Sequence, residues 1–227
     1  MSLSYKLSYL SFIRKGVLNK VHTLRFSRRA FPSKGIAMKV LYCEILHCRK
    51  CIRLREDRRP VPGEGDLDAR LFIIGESPSN HGYRPFVGPS GRILEELLLR
   101  IGIVRDKVYL TNLIKCKLPP GKMPKPKEIA LCSPYLDQEI KIIKPKVIVT
   151  LGRLSTQYLL GKIGKVFKSL SNIHGNIYRA SILGIRTTLI PTYHPAAIMY
   201  NPKIKILLER DFHIIRRVIQ QESHYAR

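Results

Sequence analysis

Five cysteines stand at Cys43, Cys48, Cys51, Cys116 and Cys132. Cys48 and Cys51 form a CxxC, which lets two thiolates reach one metal centre from a single turn, and Cys116 and Cys132 follow with 15 residues between them. Two such pairs close four ligands. Zinc accepts four thiolates and so does an iron-sulfur cluster, so the spacing leaves the metal open. The alternative for Cys116 and Cys132 is burial as small apolar side chains. Cys43 reads as a bystander. Farther along, other chemically useful groups occupy unusual segments: Gly75-Glu76-Ser77-Pro78-Ser79, Asn112, Gly152 and Thr192-Tyr193-His194-Pro195.

These segments share one property, that each follows an apolar, β-rich run. The runs are Leu71 to Ile74, Val108 to Thr111, Val147 to Leu151 and Thr188 to Pro191. They alternate with helical patterns, in which Ile93, Leu94, Leu97, Leu98 and Ile101 recur at helical spacing, as do Ile129, Leu136, Ile140 and Ile143. Such alternation predicts an α/β fold, a three-layer α/β/α sandwich around a four-stranded, mainly parallel sheet. In an open parallel sheet ligands bind where the strands end, because the loops there line a crevice into which helix N-termini point. All four unusual segments then converge on one crevice. A further pair, around Asn176 to Ile182 and Ile185 to Leu189, is expected as a hairpin about Gly184. A last helix is expected over Ile204 to Gln220, with Glu222 to Arg227 frayed.

Length and composition narrow the class. A chain of 227 residues suffices for one domain with a full core. Its 41 Lys+Arg against 16 Asp+Glu give a formal charge of +25, which favours a polyanionic partner, with nucleic acid the first candidate. No stretch reaches the ~18 consecutive apolar residues of a membrane-spanning helix, so no membrane partner is expected. Cysteine use fits a metal site in a reducing, cytoplasmic setting rather than a secreted disulfide scaffold. The lack of Trp and the wealth of Lys, Arg and Ile suggest a thermophilic source. Residues 1–37 carry eight Lys or Arg and no acid. They read as a basic N-terminal extension to a domain over 38–227, either a flexible arm, a transit-like segment or a stretch preceding the true start at Met38.

From Cys48 to Pro202 the sequence resembles the family 4 uracil-DNA glycosylases of thermophilic bacteria and archaea. The resemblance rests on Cys48-Arg49-Lys50-Cys51, Gly75-Glu76-Ser77-Pro78, Arg84-Pro85-Phe86-Val87-Gly88-Pro89-Ser90-Gly91 and Tyr109-Leu110-Thr111-Asn112-Leu113-Ile114-Lys115-Cys116. It continues through Pro145-Lys146-Val147-Ile148-Val149-Thr150-Leu151-Gly152 and Thr192-Tyr193-His194-Pro195, in matching order and spacing. It implies a uracil-DNA glycosylase-like fold and a 4Fe-4S cluster on Cys48, Cys51, Cys116 and Cys132, which decides against zinc. It further implies a monomeric hydrolase acting on uracil-containing DNA, single- or double-stranded, to start base-excision repair. A sliding clamp is a candidate partner, although no convincing terminal docking motif stands out.

The chemistry of that reaction sets the roles. Breaking the bond from uracil N1 to deoxyribose leaves an oxocarbenium-like sugar and an anionic base, so a donor must face uracil O2. His194, held before Pro195, is the candidate. Uracil is told from cytosine by an amide that complements N3–H and O4, and Asn112 offers one on a short stem. Phe86 is suited to stack on the flipped base, and by resemblance the Gly75-Glu76 turn lies against the C5 edge, where thymine carries its methyl. Ile198 or Met199 is the candidate wedge to fill the vacated stack. One departure matters: family members usually carry acids a few positions after the first-motif Pro, whereas Ser79-Asn80-His81-Gly82-Tyr83 has none. Water activation thus falls to Glu76, His81 or Asn112, or to a dissociative path needing little general base. Rival readings are a catalytically weakened iron-sulfur DNA-binding protein, a glycosylase for other deaminated bases, and a zinc-stabilised RNA-binding module.

Overall fold

The computed structural model describes residues 33–51, 59–79, 81–119 and 121–224. The expected basic extension lies outside them up to position 32; of the expected C-terminal fraying, 225–227 lie outside them, while 222–224 continue the last helix instead of fraying. Lys34–Arg227 form one compact unit. Its elements run α1 (Lys34–Leu46), β1 (Glu64–Gly65), β2 (Leu71–Gly75), α2 (Pro89–Arg100), β3 (Val108–Asn112), α3 (Pro126–Ile143), β4 (Val147–Leu151) and α4 (Arg153–Lys162). They continue through α5 (Leu170–Ile173), β5 (Tyr178–Ile182), β6 (Ile185–Thr192), α6 (Ala197–Tyr200) and α7 (Ile204–His224).

The sheet has six strands rather than the expected four, in the order β1-β3-β2-β4-β6-β5. The four expected strands form its parallel centre, and β1 and β5 pair antiparallel on the two edges. β1 escaped the sequence pattern because two residues carry no alternation to read. β5 and β6 are the expected hairpin, closed by Leu183 and Gly184, both at positive φ as a tight two-residue turn requires. β6 simply continues from that hairpin into the central sheet.

Every residue of β2, β3 and β4 is buried, as a parallel sheet covered on both faces demands. Alternate side chains feed two cores. Phe72, Ile74, Tyr109 and Ile148 pack against α1, α3 and α4 through Leu41, Leu136, Ile140 and Leu159. Leu71, Ile73, Leu110 and Val149 pack against α2 and α7 through Leu94, Leu98, Phe212 and Ile215. Three layers result. α1 begins at Lys34, ahead of Met38, whose side chain is buried in the first core. Lys34 Nζ binds the Asp68 carboxylate at 2.8 Å.

Register brings the functional segments level. Gly75 at the end of β2 pairs with Asn112 at the end of β3, and Leu151 of β4 pairs with Thr192 of β6. Leu113 N–H then donates to Gly75 O and Ile114 N–H to Glu76 O, which extends the pairing past the strand ends.

Candidate functional site

The crevice is built from Gly75, Phe86, Asn112 and His194. A Cβ placed on Gly75 would lie 2.7 Å from the Phe86 ring and closer still to Asn112 Oδ1, so only glycine lets the amide and the ring approach this backbone together. Phe86 is buried and has φ 53°, a conformation rarely adopted by a bulky residue. Its surroundings hold it there. Arg105 donates to Pro85 O at 2.7 Å and to Phe86 O at 3.3 Å, and is itself clamped by Glu64 at 2.6 Å and Glu95 at 3.1 Å. Gly91 also makes room, since a Cβ there would overlap the Phe86 carbonyl oxygen. The Arg-Pro-Phe-Val-Gly-Pro-Ser-Gly run therefore encodes one strained turn that projects a ring.

His194 faces that ring, with centroids 6.2 Å apart and planes at 24°. Ala196 N–H donates to His194 Nδ1 at 3.1 Å. Nδ1 must then be the unprotonated nitrogen, and Nε2 carries the hydrogen. Although the residue as a whole is only partly buried, protein atoms surround the ring densely, and the lost hydration lowers its pKa to about 4. The imidazole is neutral at physiological pH and has one N–H to give. Thr192, two residues earlier, donates its hydroxyl to buried Asp211 of α7, which also binds His174 Nδ1 at 3.0 Å, and the His174 ring packs on Tyr193. That network anchors the segment carrying His194.

Glu76 is placed differently from a group poised over substrate. Leu154 N–H donates to Glu76 Oε1 at 2.8 Å, so the carboxylate caps the N-terminus of α4. Gly152 lacks the Cβ that would collide with it. Burial raises the carboxyl pKa, and the Leu154 and Arg153 amides together with the Arg153 charge oppose that rise. His81 is exposed, its ring against Gly88 and its N–H on Ser79 Oγ at 3.4 Å. Of the wedge candidates, Ile198 packs partly into the second core while Met199 is 55% exposed. Tyr200 beside it is 87% exposed.

The cysteines gather on the opposite flank of β3. Cys48, Cys51, Cys116 and Cys132 line one cavity with Lys115 and Tyr135, and Cys43 is not among its lining. Lys115 N–H donates to Cys132 Sγ at 3.2 Å. Burial raises the Cys132 thiol pKa, the Lys115 amide and charge lower it, and neighbouring Cys48 and Cys51 raise it. None of the five cysteines forms a disulfide. Among the described residues no three of His, Cys, Asp or Glu are arranged to hold a single metal ion. Nor is any described helix long and apolar enough to cross a membrane.

An α/β domain with Phe86, the Asn112 amide and the His194 imidazole gathered at its parallel strand ends is the class these features define, and residues 62–213 match the model of the uracil DNA glycosylase superfamily. The chain is 41% identical to the type-4 uracil-DNA glycosylase of Sulfurisphaera tokodaii, over 81% of this chain and 85% of that protein. It is 39% identical to the type-4 enzyme of Saccharolobus solfataricus, over 79% and 85%, and 37% identical to that of Archaeoglobus fulgidus, over 74% and 86%. The chain belongs to the type-4 uracil-DNA glycosylases of that superfamily.

Sequence reasoning named Gly75, Phe86, Asn112 and His194, and the structure brings these four together. It passed over Arg105, Glu64 and Asp211. Nothing in their local sequence marks them, since each acts on a segment distant along the chain.

Proposed function

We propose that this chain hydrolyses the bond between uracil and deoxyribose in DNA, releasing uracil and leaving an abasic site for base-excision repair. The observation that carries this is the neutral His194, whose Nε2–H is free to donate because Ala196 N–H occupies Nδ1. A neutral donor aimed at uracil O2 gains strength as negative charge develops on the leaving base. Phe86 stacks on the extruded base, the Asn112 amide reads N3–H and O4, and the Gly75-Glu76 backbone closes the C5 edge against thymine. Met199 and Tyr200, the exposed pair on α6, enter the vacated stack more readily than Ile198. The charge of +25 draws in the phosphate backbone.

Glu76 acts here by holding the turn rather than by activating water, because its carboxylate caps α4. Glu76→Gln keeps an acceptor for Leu154 N–H and is expected to retain cleavage to within about tenfold in single turnover; a loss in the range of about 10²–10⁴ would instead identify a general base. Water then attacks a sugar cation already well developed, with little help from a base.

Cys48, Cys51, Cys116 and Cys132 are the ligands for a 4Fe-4S cluster, which, when bound, cross-links the end of α1, the exit of β3 and α3. Supporting it are the cavity that all four thiols line and the amide donated to Cys132 Sγ. Such ligands suit a reducing, cytoplasmic compartment. The deciding assay incubates the protein with a uracil-containing oligonucleotide and follows free uracil and alkali-labile strand. Release of both is expected; binding without release would identify a DNA-binding protein that has lost catalysis.

A further inference from the structure

Directly behind Asn112 lies a buried ion pair that the reaction described above does not use. Lys115 is 1% exposed and Glu139 fully buried, with Nζ 2.6 Å from Oε2. Apolar side chains of similar volume fill such a place at less electrostatic cost, so a pair buried this deeply is weak evidence for stability alone. Its hydrogen bonds point elsewhere. The three donors of the ammonium go to Glu139 Oε2 at 2.6 Å, Thr111 Oγ1 at 2.6 Å and the main-chain oxygen of Asn112 at 2.9 Å. Glu139 is held in turn by Gly63 N–H at 3.0 Å and by the Thr111 hydroxyl at 2.8 Å.

We infer that Lys115 is a positioning residue for uracil recognition, its ammonium fixing the Asn112 carbonyl at the end of β3 and so the direction of the Asn112 amide. Asn112 is the last residue of its strand, and the peptide that follows it is held from both sides, Leu113 N–H donating to Gly75 O and the Lys115 ammonium donating to the Asn112 carbonyl. A cation on its carbonyl locks the peptide plane from which the side chain departs. The main chain of Lys115 carries the same constraint outward, its N–H on Cys132 Sγ and its C=O accepting Val61 N–H at 2.6 Å. One residue thus ties the base-reading amide to the cysteine cavity. The inference rests on the proposed role of Asn112, and the test separates the two.

The experiment is a double-mutant cycle on the full chain with a uracil oligonucleotide, in single turnover at saturating enzyme. Lys115→Met/Glu139→Gln removes both charges together and leaves neither unpaired. It is expected to keep the parent's DNA affinity and to slow cleavage about 100-fold, the usual consequence of a small misplacement of a positioning group. In an Asn112→Ala background the same double change is expected to cost less than about threefold, because a residue acting only through Asn112 has nothing left to position. Equal slowing in both backgrounds, or cleavage at the parent rate, would overturn the inference. If Asn112→Ala itself cleaves at the parent rate, the assignment of the reading amide fails first. Should the charge-free variant not fold, Glu139→Asp draws the ammonium away from the Asn112 carbonyl, and the same contrast between backgrounds decides.

Discussion

Replacing His194 with Ala slows single-turnover release of uracil by about two to three orders of magnitude, the usual cost of losing a preorganised donor to developing charge, with little change in DNA affinity. The size of the effect follows from the local geometry. Ala196 N–H fixes Nδ1 as an acceptor, so the ring enters the reaction already in the tautomer that donates from Nε2. It sits across from Phe86, the ring proposed to stack on the base, with centroids 6.2 Å apart. Because the pKa is lowered to about 4, the rate in the parent carries no His194 titration between about pH 5 and 8. Stability responds at lower pH. The unfolded ring takes up a proton as pH falls through about 6.5 whereas the folded ring resists until about 4, so the fold loses stability across that interval. A pH–rate profile of the parent, with a thermal melt at each pH, checks both expectations. A midpoint near pH 6.5 that disappears in His194→Ala would show that the ring ionises during turnover and contradict the neutral-donor mechanism.

Cys132→Ala is expected to produce the largest loss of stability. Cys132 lies on α3 and faces Cys48 and Cys51 from beyond α1 and Cys116 from beyond β3. If the four cysteines hold the proposed 4Fe-4S cluster, removing Cys132 opens the ligand set and leaves three thiolates that bind a cluster poorly. Metal-binding free energy in such sites is folding free energy. At about 2–4 °C of melting temperature per kcal/mol for a domain of this size, a loss of several kcal/mol lowers the melting temperature by on the order of 10 °C. The proposed cluster predicts that the parent is brown and holds iron and sulfide, and that Cys132→Ala loses all three. Cys43→Ala serves as the comparison and should keep all three, because Cys43 does not line the cavity. Retention of iron and sulfide by Cys132→Ala would remove that residue from the ligand set.

The central strands and the helices over them were legible because burial on both faces writes itself as uninterrupted apolar runs, and one-sided burial as helical periodicity. Leu71–Gly75, Val147–Leu151 and the Leu94, Leu97, Leu98 face are examples. The edges were less legible. β1 is two residues long and presents no run, whereas β5 was legible as half of a hairpin but not as the edge of the central sheet, since its residues before Ile182 are only partly buried or exposed. Gly75, Asn112 and His194 could be named because each ends or follows a readable strand, and Phe86 because it stands in a motif of the resembled family. The assignment of Glu76 was less secure, since a carboxylate after a strand looks the same whether it faces substrate or caps a distant helix.

By itself, then, the sequence determined the layers, the family and the kinds of side chain at the crevice, because these depend on local periodicity and on motifs whose order survives in one dimension. Tertiary structure alone decided what each polar group does. The His194 tautomer depends on one amide two residues away in a tight turn, Phe86 is held at positive φ by Arg105 across 19 positions, and the Glu76 carboxylate reaches α4 across 78. Lys115 meets Glu139 across 24. Hydrogen bonds act over about 3 Å whatever the separation along the chain, so the direction of a buried polar side chain is set only when the layers have closed around it.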